Sequence, residues 1–416
     1  MAIMQAHTDR DRRVMITGVG VLTSIGLDKD RFWESIINGK SNISDIQDDS
    51  IKELKIRKGC VIQDFDIRQF TPKKESTGLS RGAKLSLAAA KSALEDSGLD
   101  LATVHPSRIG ISIGTTLGES QAIEEVAAAS VNGTANGPDR FEKIRRCSPV
   151  NLVASIKREY GIWGPTCLIP AACAAGNYAI GFGYDAIKSG TSDIIISGGV
   201  EPFSKILLIG FSRMKLIAPD MCQPFDRNRK GLLVGEGAGM LILEEYGHAR
   251  KRNARIYGEL LGYGLSCDAY HMAAPQPDAA EAALALQRAL DRSRINPGDV
   301  QYISAHGTGT HSNDLVETRA IKKVFGSCAK KTPVSSIKSM IGHTMGAAGA
   351  IEAVLCAMVL QNQIIPPTIN LHEPDPLCDL DYVPNEAREA DINTVVSNSY
   401  GFFGNNASIV LSTKRI

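Results

Sequence analysis

Cys173 stands in Pro170-Ala-Ala-Cys173-Ala-Ala-Gly176, between an apolar strand-like stretch and a helix of small residues. A cysteine at or near a helix N-terminus meets unpaired backbone N–H groups and the positive end of the helix dipole. Both favour a thiolate and would lower the free-thiol pKa of about 8.5. Small neighbours leave room for a substrate, but the same position also suits a buried structural cysteine. Two histidines shift the balance. Ala305-His306-Gly-Thr-Gly-Thr310 puts one directly after an apolar strand, in a loop of glycines and hydroxyls. Ser339-Met-Ile-Gly-His343 puts the second just before an apolar helix. A candidate thiolate with two such imidazoles is a nucleophile–base constellation. Lys338 precedes His343 and Glu352 follows it on the next helix. A nearby cation favours a thiolate or an anionic substrate; an ordinary ion pair is the plainer reading of the two charges. Gly401-Phe-Phe-Gly404-Asn-Asn406 is either a hairpin turn or a loop whose N–H groups reach an active site, with aromatic side chains as a lid. Gly18-Val-Gly20 follows a strand as a dinucleotide loop would, but Thr23 stands where G-x-G-x-x-G needs its third glycine.

The elements that must hold these residues read as α/β. The 39 glycines cluster after apolar runs, as tight turns between strands and helices do. Strands are expected at 14–16, 108–114, 166–169 and 193–197, with helices at 80–97 and 174–189. The continuous apolar run at 193–197 suits a sheet covered on both faces. A second series follows. Strands are expected at 238–244, 255–262, 300–305, 394–399 and 408–412, and helices at 278–292, 314–325 and 346–360. Ser92-Ala-Leu-Glu-Asp-Ser-Gly-Leu99 closes a helix before one strand, and Arg288-Ala-Leu-Asp-Arg-Ser-Arg-Ile295 does the same in the second series. The echo suggests two related halves, 1–250 carrying the cysteine and 251–416 carrying the histidines.

Bulk properties set the frame. The chain has 416 residues and is 43% apolar, enough for one large core or two fused ones. With 46 basic and 45 acidic side chains, net charge does not point to nucleic acid or an acidic membrane. No run of about 18 apolar residues predicts a transmembrane helix, and residues 1–13 are polar and lack the apolar core of a signal peptide. Nine scattered cysteines without a Cys-x-x-Cys pair suggest a reducing, cytoplasmic compartment.

In this order and context, Cys173, His306-Gly-Thr-Gly-Thr310, Lys338, His343 and Gly401-Phe-Phe-Gly-Asn-Asn406 resemble the elongating β-ketoacyl-acyl-carrier-protein synthases. Gln223-Pro-Phe-Asp226, Gly235-Glu-Gly-Ala-Gly239, Asp268-Ala-Tyr-His-Met272, Pro366-Pro-Thr-Ile-Asn370 and Cys378-Asp-Leu-Asp-Tyr-Val-Pro384 extend the likeness over nearly the whole chain. The resemblance implies the five-layered αβαβα thiolase fold and a dimer. It implies a ping-pong reaction in which Cys173 takes an acyl group from an acyl-carrier protein. His306 and His343 would then support decarboxylation of malonyl-carrier protein and hold the enolate. Backbone N–H groups of Cys173 and of Phe402 or Phe403 would hold the tetrahedral oxyanion. It further implies that Lys338 and Glu352 are a charged pair ordering the pocket, that Thr308 and Thr310 bind the pantetheine arm, and that Phe402 gates the site. No metal or nucleotide cofactor is implied, because substrates ride on the phosphopantetheine arm of the carrier.

The chain departs from the usual elongating pattern at Ala174-Ala175, Ala273-Ala274, Phe403 and Asn405. Thr310-His-Ser-Asn-Asp314-Leu-Val-Glu-Thr318 and Thr332-Pro-Val-Ser-Ser-Ile-Lys338 look closer to type II polyketide ketosynthases. Two readings follow: a polyketide ketosynthase paired with a chain-length-factor subunit, or a fatty-acid elongating synthase working as a homodimer. From other classes, a cysteine hydrolase would use Cys173, His306 and Asn405. A scaffold for carrier proteins would need none of these, and a thiolase would need a second cysteine as base.

Overall fold

The computed structural model describes residues 12–71, 78–134 and 140–414. Apart from Arg12 and Arg13, the polar N-terminal stretch lies outside the described residues. Ten strands form one sheet. The first half supplies β1 (Val14–Thr23), β2 (Ile109–Gly114), β3 (Thr166–Ile169), β4 (Ile194–Glu201) and β5 (Gly237–Glu245). The second supplies β6 (Gly258–Cys267), β7 (Tyr302–Ser304), β8 (Val334–Ser335), β9 (Thr394–Tyr400) and β10 (Asn405–Ser412). The order across the sheet is β8-β7-β9-β10-β6-β1-β5-β4-β2-β3. Numbered within each half, both read third, second, fourth, fifth, first. The directions agree too: the second strand runs parallel to the third and fourth, and the other pairings are antiparallel. Among the described residues the half-sheets pair through Met15–Glu259 and Ile16–Gly258.

Helices complete five layers. On one outer face α1 (Arg81–Ser97) packs on β1 and β5, with α2 (Asn151–Tyr160) beside it. On the other, α4 (Ala280–Ser293) packs on β6 and β10, with α5 (His311–Phe325) beside it. Between the half-sheets lie α3 (Ala175–Lys188) and α6 (Ala348–Asn362), each touching strands of both halves. This is the thiolase architecture. The segment Met345–Asn362 is long and apolar enough to cross a membrane, although no unbroken apolar run announces it. It is 89% buried inside the protein. A helix apolar on all sides suits a position with sheet on both sides.

The first expected strand is longer than its apolar start suggests. Gly18 and Gly20 are strand residues, not a phosphate loop. A Cβ on Gly20 would sit 2.2 Å from the Ala89 carbonyl oxygen of α1, so only glycine lets helix and strand close. The second half repeats the device: a Cβ on Gly264 would sit 2.1 Å from the Ala285 carbonyl oxygen of α4.

Candidate active site

In each half a turn leads from the third strand into the central helix. The first carries Cys173 on a short 3-10 turn, Ala172–Ala174, entered through left-handed Ala172 (φ 49°). The second leads from β8 through His343 into α6. His306 follows β7, the second strand of its half. The two related halves thus bring a thiol and two imidazoles to one place from three turns.

The backbone N–H groups of Cys173 and Phe402 point at the Cys173 sulfur. The thiol is buried, and burial pushes its pKa up to about 12, against the pull of the Lys338 charge and those two N–H groups. This corrects the expected thiolate. Loss of water around the sulfur outweighs the turn's dipoles, so Cys173 rests as a thiol.

His306 and His343 stack edge to face with ring centroids 5.2 Å apart, and Tyr400 lies 5.9 Å from His306. Burial, then the Lys338 charge, hold both imidazoles well below the usual pKa of 6.5; His343 adds to the effect on His306. Both are neutral at pH 7. Neither Nδ1 has a hydrogen-bond partner among the described residues. Their backbones are pinned. Glu317 on α5 accepts the N–H groups of His306 (2.8 Å) and Gly307 (2.7 Å). His343 donates to the Leu233 carbonyl (2.7 Å) and accepts from Gly235 N–H (2.8 Å).

A cavity of about 490 Å³ opens over these groups. Cys173, His306, His343, Thr308, Thr310, Phe402 and Phe403 all line it, as do Ala273 and Ala274. The Thr308 and Thr310 hydroxyls lie 2.9 Å apart. Phe402 is half-buried and packs edge-on against Phe211 at 5.7 Å. Phe403 is 64% exposed and left-handed (φ 63°), and its N–H donates to the Met272 carbonyl (2.8 Å). Of the two candidate oxyanion donors in this loop, only Phe402 is aimed at the sulfur.

Lys338 and Glu352 do not line the cavity. They form a buried ion pair behind it. Burial raises the Glu352 carboxyl to about 7 although Lys338 pulls it down. From there the Lys338 charge reaches Cys173, His306 and His343. Asn405 is also outside the cavity and gives its side-chain amide to the Phe402 carbonyl (3.2 Å), so it does not complete a Cys–His–Asn set. Cys356 and Cys378 are buried in the core and line no part of the cavity, which leaves a thiolase without its second cysteine.

Sequence reasoning missed Glu317 and Glu201. Glu317 sits one turn beyond Asp314 on the buried side of α5. Glu201 ends the apolar strand β4. Acidic residues on otherwise buried elements were the available signal, since such carboxylates need built-in donors.

Residues 11–249 match the family described as Beta-ketoacyl synthase, N-terminal domain, and residues 257–372 match Beta-ketoacyl synthase, C-terminal domain. The chain belongs to the β-ketoacyl synthase family. It is therefore a condensing acyltransferase. It is 37% identical to 3-oxoacyl-[acyl-carrier-protein] synthase 2 of Synechocystis sp., covering 96% of this chain and 97% of that one. It is 38% identical to the tetracenomycin polyketide synthase ketoacyl synthase alpha subunit of Streptomyces glaucescens, covering 97% of each. Among solved structures, the ishigamide ketosynthase/chain length factor superposes with a TM-score of 0.92 at 38% identity, covering 97% of this chain and 99% of that one.

Proposed function

We propose that this β-ketoacyl synthase extends a Cys173-bound acyl chain by decarboxylative Claisen condensation with malonyl-acyl-carrier protein. The observation that carries the reading is a pair of neutral imidazoles facing, across one cavity, a thiol that holds two N–H donors. In the first half-reaction the Cys173 sulfur attacks the acyl thioester carbonyl. The bond to the pantetheine sulfur breaks, and that sulfur leaves with the thiol proton. The N–H groups of Cys173 and Phe402 hold the tetrahedral oxyanion, an effect worth about 10²–10³ in rate per donor. In the second, the malonyl C–C bond breaks and releases carbon dioxide. Ring N–H groups of His306 and His343 hold the enolate oxygen; neutral imidazoles suit a step that needs donors rather than a proton acceptor. The carbanion attacks the Cys173 thioester, a C–C bond forms, and the released sulfur takes up one proton.

The division of labour follows the two halves: residues 1–250 hold the nucleophile and 251–416 the two histidines. Lys338, held in place by Glu352, is a positioning residue whose charge adds to burial in keeping the imidazoles neutral. Thr308 and Thr310 take the pantetheine arm, Phe402 gates the acyl chain, and Phe403 narrows the mouth. No cofactor beyond the carrier's arm enters these steps.

For the pathway we favour type II polyketide assembly, with a chain-length-factor-like subunit as partner. The motif likeness around Thr310 and Thr332 supports it, and so does the similarity to the ishigamide ketosynthase/chain length factor. The similarity to 3-oxoacyl-[acyl-carrier-protein] synthase 2 supports the alternative, a homodimer elongating fatty acids. The test is intact-mass measurement after incubation with saturated, β-keto and polyunsaturated acyl carriers, each chased with malonyl carrier, with and without the partner subunit. Acylation that disappears in Cys173→Ala, followed by a β-keto product, is expected. The preferred chain and the partner requirement choose the pathway. No adduct from any carrier, with or without the partner, would overturn the reading.

A further inference from the structure

The two halves make a second elbow. A short 3-10 turn precedes each central helix: Ala172–Ala174 before α3 and Met345–Ala347 before α6. Each begins with a left-handed residue, Ala172 (φ 49°) and Met345 (φ 47°). Aligning the turns sets Gly346 opposite Cys173. At the Cys173 elbow, the elbow N–H is joined by that of Phe402, just beyond β9, the fourth strand of the other half. At the Gly346 elbow, the matching place belongs to Glu201, the last residue of β4, again the fourth strand of the other half.

Glu201 is fully buried, and its carboxylate accepts three backbone N–H groups: Thr116 (2.6 Å), Leu117 (2.9 Å) and Gly346 (3.1 Å). The Thr115 hydroxyl lies 3.3 Å away. Thr115 to Leu117 follow β2, the strand equivalent to β7, so this turn is the counterpart of the one that carries His306. The fit is tight, since a Cβ on Gly346 would come within 2.4 Å of the Thr116 nitrogen. Burial raises the Glu201 carboxyl to about 7 and the N–H bonds oppose it, so it is ionised at pH 8.

We infer that Glu201 is a built-in anion filling the second half's counterpart of the oxyanion site, and that it is a positioning residue holding the His343 turn at its distance from Cys173. The first half's elbow stays open for a passing oxyanion. The second is closed by the resident Glu201 carboxylate, which ties the Thr116 loop of one half to the Gly346 turn of the other. His343 lies three residues before Gly346, so slack in this knot moves an imidazole. The inference rests on the proposed reaction.

The experiment replaces the anion. Glu201→Ala opens the nest, and formate or acetate is added back at pH 8. Condensation turnover of Glu201→Ala should fall about tenfold or more, with KM little changed and Cys173 acylation by mass retained. Millimolar formate should restore several-fold turnover and raise the melting temperature in this variant alone. Wild-type turnover in Glu201→Ala, or a folded Glu201→Ala that neither anion restores, would overturn the inference. If Glu201→Ala does not fold, Glu201→Gln decides. Its amide fills the nest without charge, so several-fold lower turnover with no response to formate is expected, and wild-type turnover would overturn the anion's role. Absence of condensation in the wild-type protein would instead sink the reading beneath it.

Discussion

The two halves of this synthase have one strand order and opposite chemistry. In the first, the turn before the central helix carries Cys173, and the turn after the second strand is held by Glu201 and does not line the cavity. In the second, the turn before the central helix carries Gly346, and the turn after the second strand carries His306, held by Glu317. In both, two consecutive N–H groups rest on one buried carboxylate. The scaffold was kept where backbone must be held, and side chains differ where substrate must be met. A fold can thus halve its active site, giving the thiol to one repeat and the imidazoles to the other.

The comparison can be tested first where the halves differ most. His343→Ala should lower condensation by about 10²–10³ while Cys173 still takes up an acyl group, because only the second half-reaction needs the imidazole. Equal loss of acylation would show that the halves do not divide the work. The same division predicts the pH profile. Both histidines hold their protons less tightly than free imidazole, so the neutral form persists below pH 6.5. In Glu201→Gln, where no carboxyl titrates at the Gly346 elbow, condensation by the acylated enzyme should stay level as pH falls through 6.5 and drop only below it. The linked stability runs the same way. The unfolded state binds more protons below 6.5, so the histidine contribution to stability is lost as pH falls from there toward their folded pKa. A rate that halves at 6.5 would mean the imidazoles are not desolvated in solution.

Where the halves agree, equal damage is expected. Gly20→Ala and Gly264→Ala each drive a methyl into a helix carbonyl, and each should cost about 1–3 kcal/mol in chemical denaturation. A cost confined to one would show that the repeats are not packed alike. The smallest effect belongs to the loop between β9 and β10. Phe403→Gly removes a left-handed, exposed phenylalanine and should raise stability by up to about 1 kcal/mol in a thermal melt, the released strain exceeding glycine's entropy. A lower melting temperature would mean the ring contributes packing at the mouth.

Local sequence was enough for Cys173, His306 and His343, because a reactive residue type beside glycines at the end of an apolar run is a rare pattern with few uses. The α/β alternation and the paired helices before β2 and β7 were equally legible, since hydrophobic period and turn residues are properties of neighbouring positions. What depended on residues far apart in the chain was not. Gly18 and Gly20 look like a loop until α1 lies against them. The adjacent residues Phe402 and Phe403 look interchangeable until the loop closes, when one N–H faces the Cys173 sulfur and the other bonds to Met272. The thiol was expected to be acidic because dipoles can be read from a turn. It is weakly acidic because desolvation depends on everything packed around it. Glu201 gains its meaning only when a strand of one half reaches the elbow of the other. Residue type and spacing named the reacting groups and their order; the folded structure decided their protonation, their donors and their division between the halves, because burial and hydrogen bonding are set by contacts between residues distant in sequence.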